Sequence, residues 1–330
     1  MKKCMNHSDT FVTDSLVGIY KAYPEVYQPV GENLQALVRT DKEDKVAVVT
    51  GGGYGHLPLF LGYVGKGLCD GAAVGNVFTS PSCETILDVS RAVNAGKGIL
   101  YLFGNYFGDS MNFDMAGELL SMEGIRTEIV KGCDDMASAP RDQREKRRGI
   151  AGITFAYKTA GASAARGDSL EKVAETARKT IERTATMGVA FSSCTLPGMD
   201  HSIFQMEPDD MEIGMGIHGE PGIRREKMIT SCQLAERLFA DLIKDLSLKE
   251  KDRVAVLVNG LGMTSREELF IFFRDGAKYL EQKGIKISYS LVGEYATSLE
   301  MAGLSASILK LDDQLEPLLK SDSYTPFLRF

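Results

Sequence analysis

KVAVVTGGGYGHLP, Lys45–Pro58, begins as an apolar run rich in valine and ends in four glycines, a tyrosine and a histidine. A short β-branched run without helical spacing reads as a buried strand. Glycines directly after it read as a tight turn, because they tolerate backbone conformations that other residues avoid. Two more such runs follow, GILYLF at Gly98–Phe103 and RTEIV at Arg126–Val130. Between them SPSCETILDVSRAVNAG has helical spacing, with Ser80 as the expected N-cap, Pro81 as the first helical residue and Gly96 as the stop. Strands alternating with helices make βαβ units and predict an α/β fold with mainly parallel or mixed sheets flanked by helices.

Farther along, the basic run RDQREKRRG (Arg141–Gly149) reads as the solvated start of a helix. Helical patterns follow in IAGITFAYKTAGASAAR and SLEKVAETARKTIERTATM. A second strand-rich region contains MGVAFSS, MEIGMGI, RVAVLVN, KISYSLVG and SASILKL, interrupted by the helical stretches TSCQLAERLFADLIKDL and SREELFIFFRDGAKYLEQKG. At 330 residues the chain exceeds the roughly 250–300 residues that one core serves. Two α/β domains are therefore expected, an N-terminal one over 1–186 that carries ligand-binding loops and a C-terminal one over 187–330.

Composition narrows the partners. A net charge of −7 gives no general basic face for nucleic acid or anionic lipid. No apolar run reaches the roughly 20 residues of a membrane helix, and MKKCMNHSDT has no apolar stretch after its lysines. A soluble, cytoplasmic protein acting on a small molecule is the expectation. The six cysteines form no CxxC, so neither a zinc cluster nor a disulfide framework is expected.

The glycine-rich stretch suggests phosphate binding, yet GGGYGH is not G-x-G-x-x-G, and neither it nor NGLGMTS supplies the lysine of a P-loop. The four histidines tell more. His56 in GGGYGH and His218 in GMGIHGEPG each follow an expected strand beside glycines, where ligands bind in parallel α/β sheets. Each alone equally suits a turn histidine bonded to backbone. Asp109, in GNYFGDSMNFD after the strand Gly98–Phe103, is the third group, and two histidines with a carboxylate at three strand ends make an acid–base site. Asp209 and Asp210 lie in an acidic turn without the converging oxygens that a hard cation needs, so no metal is assigned. Glu294 in VGEYATSLEMAG reads as a domain-interface contact rather than a reacting group.

Five separated motifs, GGGYGHLP, GNYFGDSMNF, MGVAFSSCTLPG, MEIGMGIHGEPG and LVGEYATSLEMAG, together resemble the dihydroxyacetone-binding subunit of dihydroxyacetone kinases linked to the phosphotransferase system. The resemblance implies a two-domain α/β homodimer. It implies that His218 captures the ketone as a covalent hemiaminal, and that His56 and Asp109 act as acid–base residues beside the hydroxyl to be phosphorylated. Gly53, Tyr54, Gly55 and His56 match the loop that holds the ligand. No cofactor is implied for this chain. The adenine nucleotide and Mg²⁺ are expected on a separate helical subunit, which a phosphotransferase-system protein rephosphorylates.

Covalent capture has its own physical logic. Contacts alone discriminate poorly between near-isosteres, whereas only a carbonyl accepts attack by a neutral imidazole nitrogen. Two positions depart from the family pattern: Tyr54 stands where many members have serine, and Gly104 where many have lysine. Either change bears on the pocket. The resemblance therefore admits a larger ketose such as erythrulose, or a non-enzymatic dihydroxyacetone-binding coregulator of transcription, beside the kinase subunit.

Overall fold

The computed structural model describes residues 3–330. Its first half runs α1 (Phe11–Ala22), β1 (Tyr27–Val30), β2 (Asn33–Arg39), β3 (Ala47–Tyr54), β4 (Gly71–Val77), α2 (Cys83–Val93), β5 (Ile99–Gly104), α3 (Phe107–Met122), β6 (Thr127–Gly132), α4 (Ile153–Ala165) and α5 (Leu170–Glu182). The second half runs β7 (Thr184–Ala190), β8 (Asp210–Ile213), β9 (Arg224–Lys227), α6 (Ser231–Leu246), β10 (Arg253–Gly260), α7 (Arg266–Gln282), β11 (Lys286–Gly293), β12 (Gly303–Lys310) and α8 (Leu315–Leu319).

Two six-stranded sheets result, in the orders β1-β2-β4-β3-β5-β6 and β11-β10-β12-β7-β8-β9. In the first, β4, β3, β5 and β6 are mutually parallel, and the β1–β2 hairpin joins β4 antiparallel. In the second, only β10 and β11 are parallel. No helix lies between β7 and β8, β8 and β9, or β11 and β12. A parallel neighbour needs a long crossover, usually a helix, and these strands turn back antiparallel without one. Both sheets are thus mixed α/β sheets flanked by helices, and strand β7 spans residue 186.

The layers follow from which faces are apolar. Ile86 and Val89 of α2 and Phe113 and Ala116 of α3 cover Tyr101 and Phe103 on one face of the first sheet. On its other face, Leu16 of α1, Phe155 of α4 and Val173 of α5 pack on Leu37, Val48 and Leu100. That core continues into Ala255, Leu257 and Leu309 of the second sheet. Leu238, Leu269 and Phe272 of α6 and α7 close the far face on Val256 and Ile308. Helix α4 therefore lies between layers and is buried from Ile153 to Ala164, which suits its run of alanine, glycine and serine.

Two local expectations are corrected. The α2 cap is Ser82, whose hydroxyl accepts from the Thr85 amide at 3.1 Å, not Ser80. The helix begins at Cys83, so Pro81 precedes the cap and Ser80 is left free of the helix. The basic run is solvated over Arg141–Lys146, apart from half-buried Arg144, but it does not start α4, which begins at Ile153. Residues Arg141–Lys146 form a short 3₁₀ turn, and the Arg144 guanidinium donates to the Ile181, Glu182 and Thr184 carbonyls at the end of α5. Arg147 is fully buried and donates twice to Asp245 of α6, at 2.9 and 2.6 Å. Arg147 thus pairs a carboxylate that burial would otherwise leave without a counter-charge, and Arg144 caps the carbonyls at the α5–β7 junction.

Candidate functional site

Gly51, Gly52 and Gly53 belong to β3 rather than to a turn. Close packing demands them: a Cβ would meet the Ala73 carbonyl at 2.6 Å from Gly51, the Phe60 ring at 2.2 Å from Gly52 and the Thr79 amide at 2.7 Å from Gly53. The turn is made by Gly55, whose φ of +103° suits glycine. Strand alternation sends the Tyr54 side chain to the α1 side, where its hydroxyl lies 2.5 Å from Ser15 Oγ and its ring stands edge-on to Phe11. Among the four expected ligand-loop residues, Tyr54 is thus the one whose side chain is engaged elsewhere.

His56 is 1% exposed, its ring stacked on Phe78 at 4.8 Å and edge-on to Phe60. Phe60, Phe78 and Leu299, the residues around this loop, have left-handed backbones with φ of 67°, 56° and 52°. Such conformations cost an L-residue on the order of 1–3 kcal/mol each and collect where function fixes the geometry. His56 Nδ1 lies 2.8 Å from the Thr297 carbonyl oxygen. A carbonyl only accepts, so Nδ1 carries the proton. Nε2 then holds a bare lone pair, and it is buried without a hydrogen-bond partner. Burial, aided by the neighbouring His218, pushes the imidazole down to about 3, so it stays neutral.

Asp109 sits in the first turn of α3 and is 7% exposed. Its Oδ1 is likewise buried without a partner. Burial raises the carboxyl to about 6, against the opposing pull of the Ser80 hydroxyl and of His218. The freed Ser80 thus has its place beside this carboxylate.

His218 arrives differently from the expectation of a parallel strand end: it sits in the loop joining the antiparallel strands β8 and β9. Its ring meets that of His56 edge to face at 4.7 Å and that of Tyr106 at 4.7 Å. Nδ1 lies 3.1 Å from Glu220 Oε1, and the His218 amide donates to Glu220 Oε2 at 2.9 Å. Burial would raise Glu220, but the hydrogen bond and charge of His218 and the charge of Arg148 outweigh it and hold the carboxyl at about 2. Ionised Glu220 only accepts, so His218 Nδ1 carries a proton, and Nε2, which bonds to no group of the chain, lies on the opposite side of the ring.

One loop from the second sheet fastens both histidine loops. Asn259 at the end of β10 accepts from the Tyr295 and Ala296 amides and donates to the Ala296 carbonyl. The loop so held gives His56 its Thr297 carbonyl, bonds the Gly55 carbonyl through the Leu299 amide at 2.8 Å, and donates from Ser298 Oγ to the Ile217 carbonyl at 2.6 Å. Thr297, Ser298, Glu220, Tyr106 and Ser80 are the site residues that sequence reasoning missed. Glu220 inside GIHGEPG, Tyr106 inside GNYFGDSMNF, and Thr297 and Ser298 inside LVGEYATSLEMAG stood in motifs that carry the family resemblance, whereas Ser80 did not. Glu294 is exposed, and Asp210 is paired with Lys227 at 2.7 Å.

Gly104, the other departure, explains its own context. A Cβ there would meet the Tyr106 ring at 3.0 Å, and the Tyr106 hydroxyl donates to the Gly149 carbonyl at 3.0 Å. The aromatic ring occupies the space into which a longer side chain at 104 would grow.

The arrangement brings together two imidazoles whose Nε2 atoms bond to no group of the chain and a carboxylate oxygen without a partner. A match to the Dak1 domain spans residues 17–327. The dihydroxyacetone-binding subunit DhaK of the PTS-dependent dihydroxyacetone kinase 2 of Listeria innocua is 42% identical, over 100% of this chain and 99% of that protein. The D-erythrulose kinase of Mycolicibacterium smegmatis is 43% identical over 99% of this chain, which spans 56% of that kinase. The solved structure of the dihydroxyacetone kinase operon co-activator Dha-DhaQ superposes with a TM-score of 0.88 at 31% identity, over 94% of this chain and 96% of that one. With its match running almost from end to end, and a full-length relative above two-fifths identity, the chain belongs to the Dak1 domain family.

Proposed function

We propose that this chain is the ketose-binding subunit of a dihydroxyacetone kinase, a phosphotransferase, and that it captures dihydroxyacetone on His218 and presents a hydroxyl for phosphorylation. One observation carries the reading: at a contact of 4.7 Å both imidazoles have Nδ1 engaged and Nε2 free, next to a buried Asp109 oxygen that lacks a partner. The His218 Nε2 lone pair adds to the carbonyl carbon, and the π pair moves to oxygen, which takes a proton from solvent. The resulting imidazolium keeps Nδ1–H on Glu220. Imidazole nitrogen has no second proton to lose, so the adduct stops at the hemiaminal.

The captured ketose places a terminal hydroxyl toward Asp109. Asp109, raised toward neutrality, is the better matched acceptor of that hydroxyl's proton, and the bare Nε2 of neutral His56 accepts from another hydroxyl of the captured ketose. Phosphoryl transfer asks mainly for positioning, which the covalent tether supplies. The adenine nucleotide and Mg²⁺ belong to a separate subunit served by the phosphotransferase system. The division of roles between residues 1–186 and 187–330, the homodimer, a cytoplasmic setting in glycerol metabolism, and the absence of direct nucleic-acid contact complete the proposal. No described helix is long and apolar enough to cross a membrane.

A larger ketose is the second reading, favoured by the similarity to the erythrulose kinase at 43% identity. The test uses dihydroxyacetone and erythrulose labelled with ¹³C at the carbonyl. Capture moves the labelled resonance from the carbonyl region to that of a tetrahedral carbon, and His218→Ala abolishes the shift. Retention of the shift in that variant overturns the assignment. Turnover with a nucleotide-loaded partner subunit then separates kinase from sensor, since a coregulator captures without turning over.

A further inference from the structure

Helix α3 buries Phe113, Ala116 and Leu120 against the first sheet, yet its opposite face is also apolar. Phe107, Met111, Met115 and Leu119 recur every fourth residue and are exposed, Phe107 at 86%, and Met122 at the end of the helix is 82% exposed. Residues four apart stack on one side of a helix, so these side chains form one stripe. A contiguous exposed apolar patch of this kind marks an interaction surface, whereas single exposed residues do not. The stripe starts at Phe107, two residues before Asp109, and therefore opens at the mouth of the ketose site.

Resting on the kinase reading above, we propose that this stripe is the docking face for the protein that carries the phosphoryl-donor nucleotide. The donor phosphate must come within bonding distance of a hydroxyl held at Asp109, so the protein bearing it lies over the N-terminal end of α3. The stripe gives that protein an apolar seat running away from the mouth. Asp114 is paired with Lys131 at 3.6 Å, so exposed Glu118 is the acidic group along this helix that a basic residue on the partner's rim would meet. A second copy of this chain seated on the stripe would press mouth against mouth and leave no route for the donor. The Glu118 carboxylate likewise opposes an anionic lipid surface.

The test uses the full chain with the ADP- and Mg²⁺-loaded nucleotide subunit of a phosphotransferase-linked dihydroxyacetone kinase. Met111→Glu with Met115→Glu is compared with wild type and with Phe270→Glu, an exposed apolar residue on α7. The stripe variant is expected to need at least tenfold more nucleotide subunit for half-maximal turnover, with ¹³C-detected ketose capture unchanged and Phe270→Glu indistinguishable from wild type. Wild-type turnover with an unaffected stripe variant overturns the docking face and leaves the kinase reading standing. Conversion of a dimer to a monomer by the stripe substitutions in sedimentation overturns it too, by assigning the face to a second copy. Absence of wild-type turnover overturns the kinase reading, and the docking face with it.

Discussion

The imidazoles of His56 and His218 meet edge to face at 4.7 Å, and each gives its Nδ1 proton away from the other, to the Thr297 carbonyl and to the Glu220 carboxylate. Two adjacent histidines thereby keep both Nε2 atoms free of hydrogen bonds to the chain. Their roles differ because their surroundings differ: His56 is enclosed by Phe60 and Phe78, whereas His218 is part-exposed and has an anion behind it.

That anion sets the first prediction. Glu220→Gln retains the size of the side chain but removes the charge that balances the imidazolium of the adduct. A charge-assisted hydrogen bond is worth about 1.5–3 kcal/mol, so ketose capture should weaken on the order of tenfold to a hundredfold. Titration with carbonyl-labelled dihydroxyacetone measures it, and unchanged affinity refutes the role given to Glu220.

Turnover should depend on pH through Asp109. Its carboxyl is raised to about 6, so the proton-accepting form is lost as pH falls through that value. His56, pushed down to about 3, adds no limb above pH 5. Asp109→Asn should cut phosphoryl transfer by a factor on the order of 10²–10⁴ and flatten the profile, while capture by His218 persists. A limb near 6 that survives in the variant assigns the titration elsewhere.

The same substitution should stabilise the protein. Between 3.8, the ordinary aspartate value, and about 6, the native state holds a proton that the unfolded chain has released. Stability therefore falls as pH rises through that window and stays lower above it. Asparagine has no charge to bury, so Asp109→Asn should gain about 3 kcal/mol in urea unfolding above neutrality, the equivalent of the two-unit displacement, and nothing below about pH 4. Equal stability at both ends would show that Asp109 carries no buried-charge penalty.

Arg147 and Asp245 make a buried bidentate pair between the loop before α4 and helix α6. Removing Arg147 leaves buried Asp245 with only the longer contact to exposed Arg141 at 3.4 Å, and Arg147→Met alone should cost about 3 kcal/mol in urea unfolding, the low end for a broken buried pair. Combining it with Asp245→Leu should recover most of that loss, because the apolar pair leaves no charge behind. A double variant no better than the single one rules out this explanation.

Local chemistry made much of the site legible. His56, Asp109 and His218 stand out because histidine is scarce here and each lies among glycines beside a strand or its loop. The β1–β2 hairpin and β4 were not legible: GAAVGNV in β4 carries glycine and alanine where a strand pattern wants branched residues. Tyr54 misled because the strand seemed to end at Thr50. Once β3 is seen to reach residue 54, alternation alone fixes which way the phenol points. Thr297 and Ser298 stand inside the motif LVGEYATSLEMAG, but their residue types do not disclose what they do. One acts through its carbonyl and the other through a hydroxyl, on partners 241 and 81 positions away.

The Thr297 carbonyl belongs to the second sheet's loop and the imidazole it orients belongs to the first sheet's. The position of a single proton on His56 is accordingly a readout of how the two halves of the molecule stand against each other. Let the cleft widen by the length of one hydrogen bond, and that proton is free to change nitrogen. The lone pair facing the ketose then vanishes, though no residue of the site has been replaced.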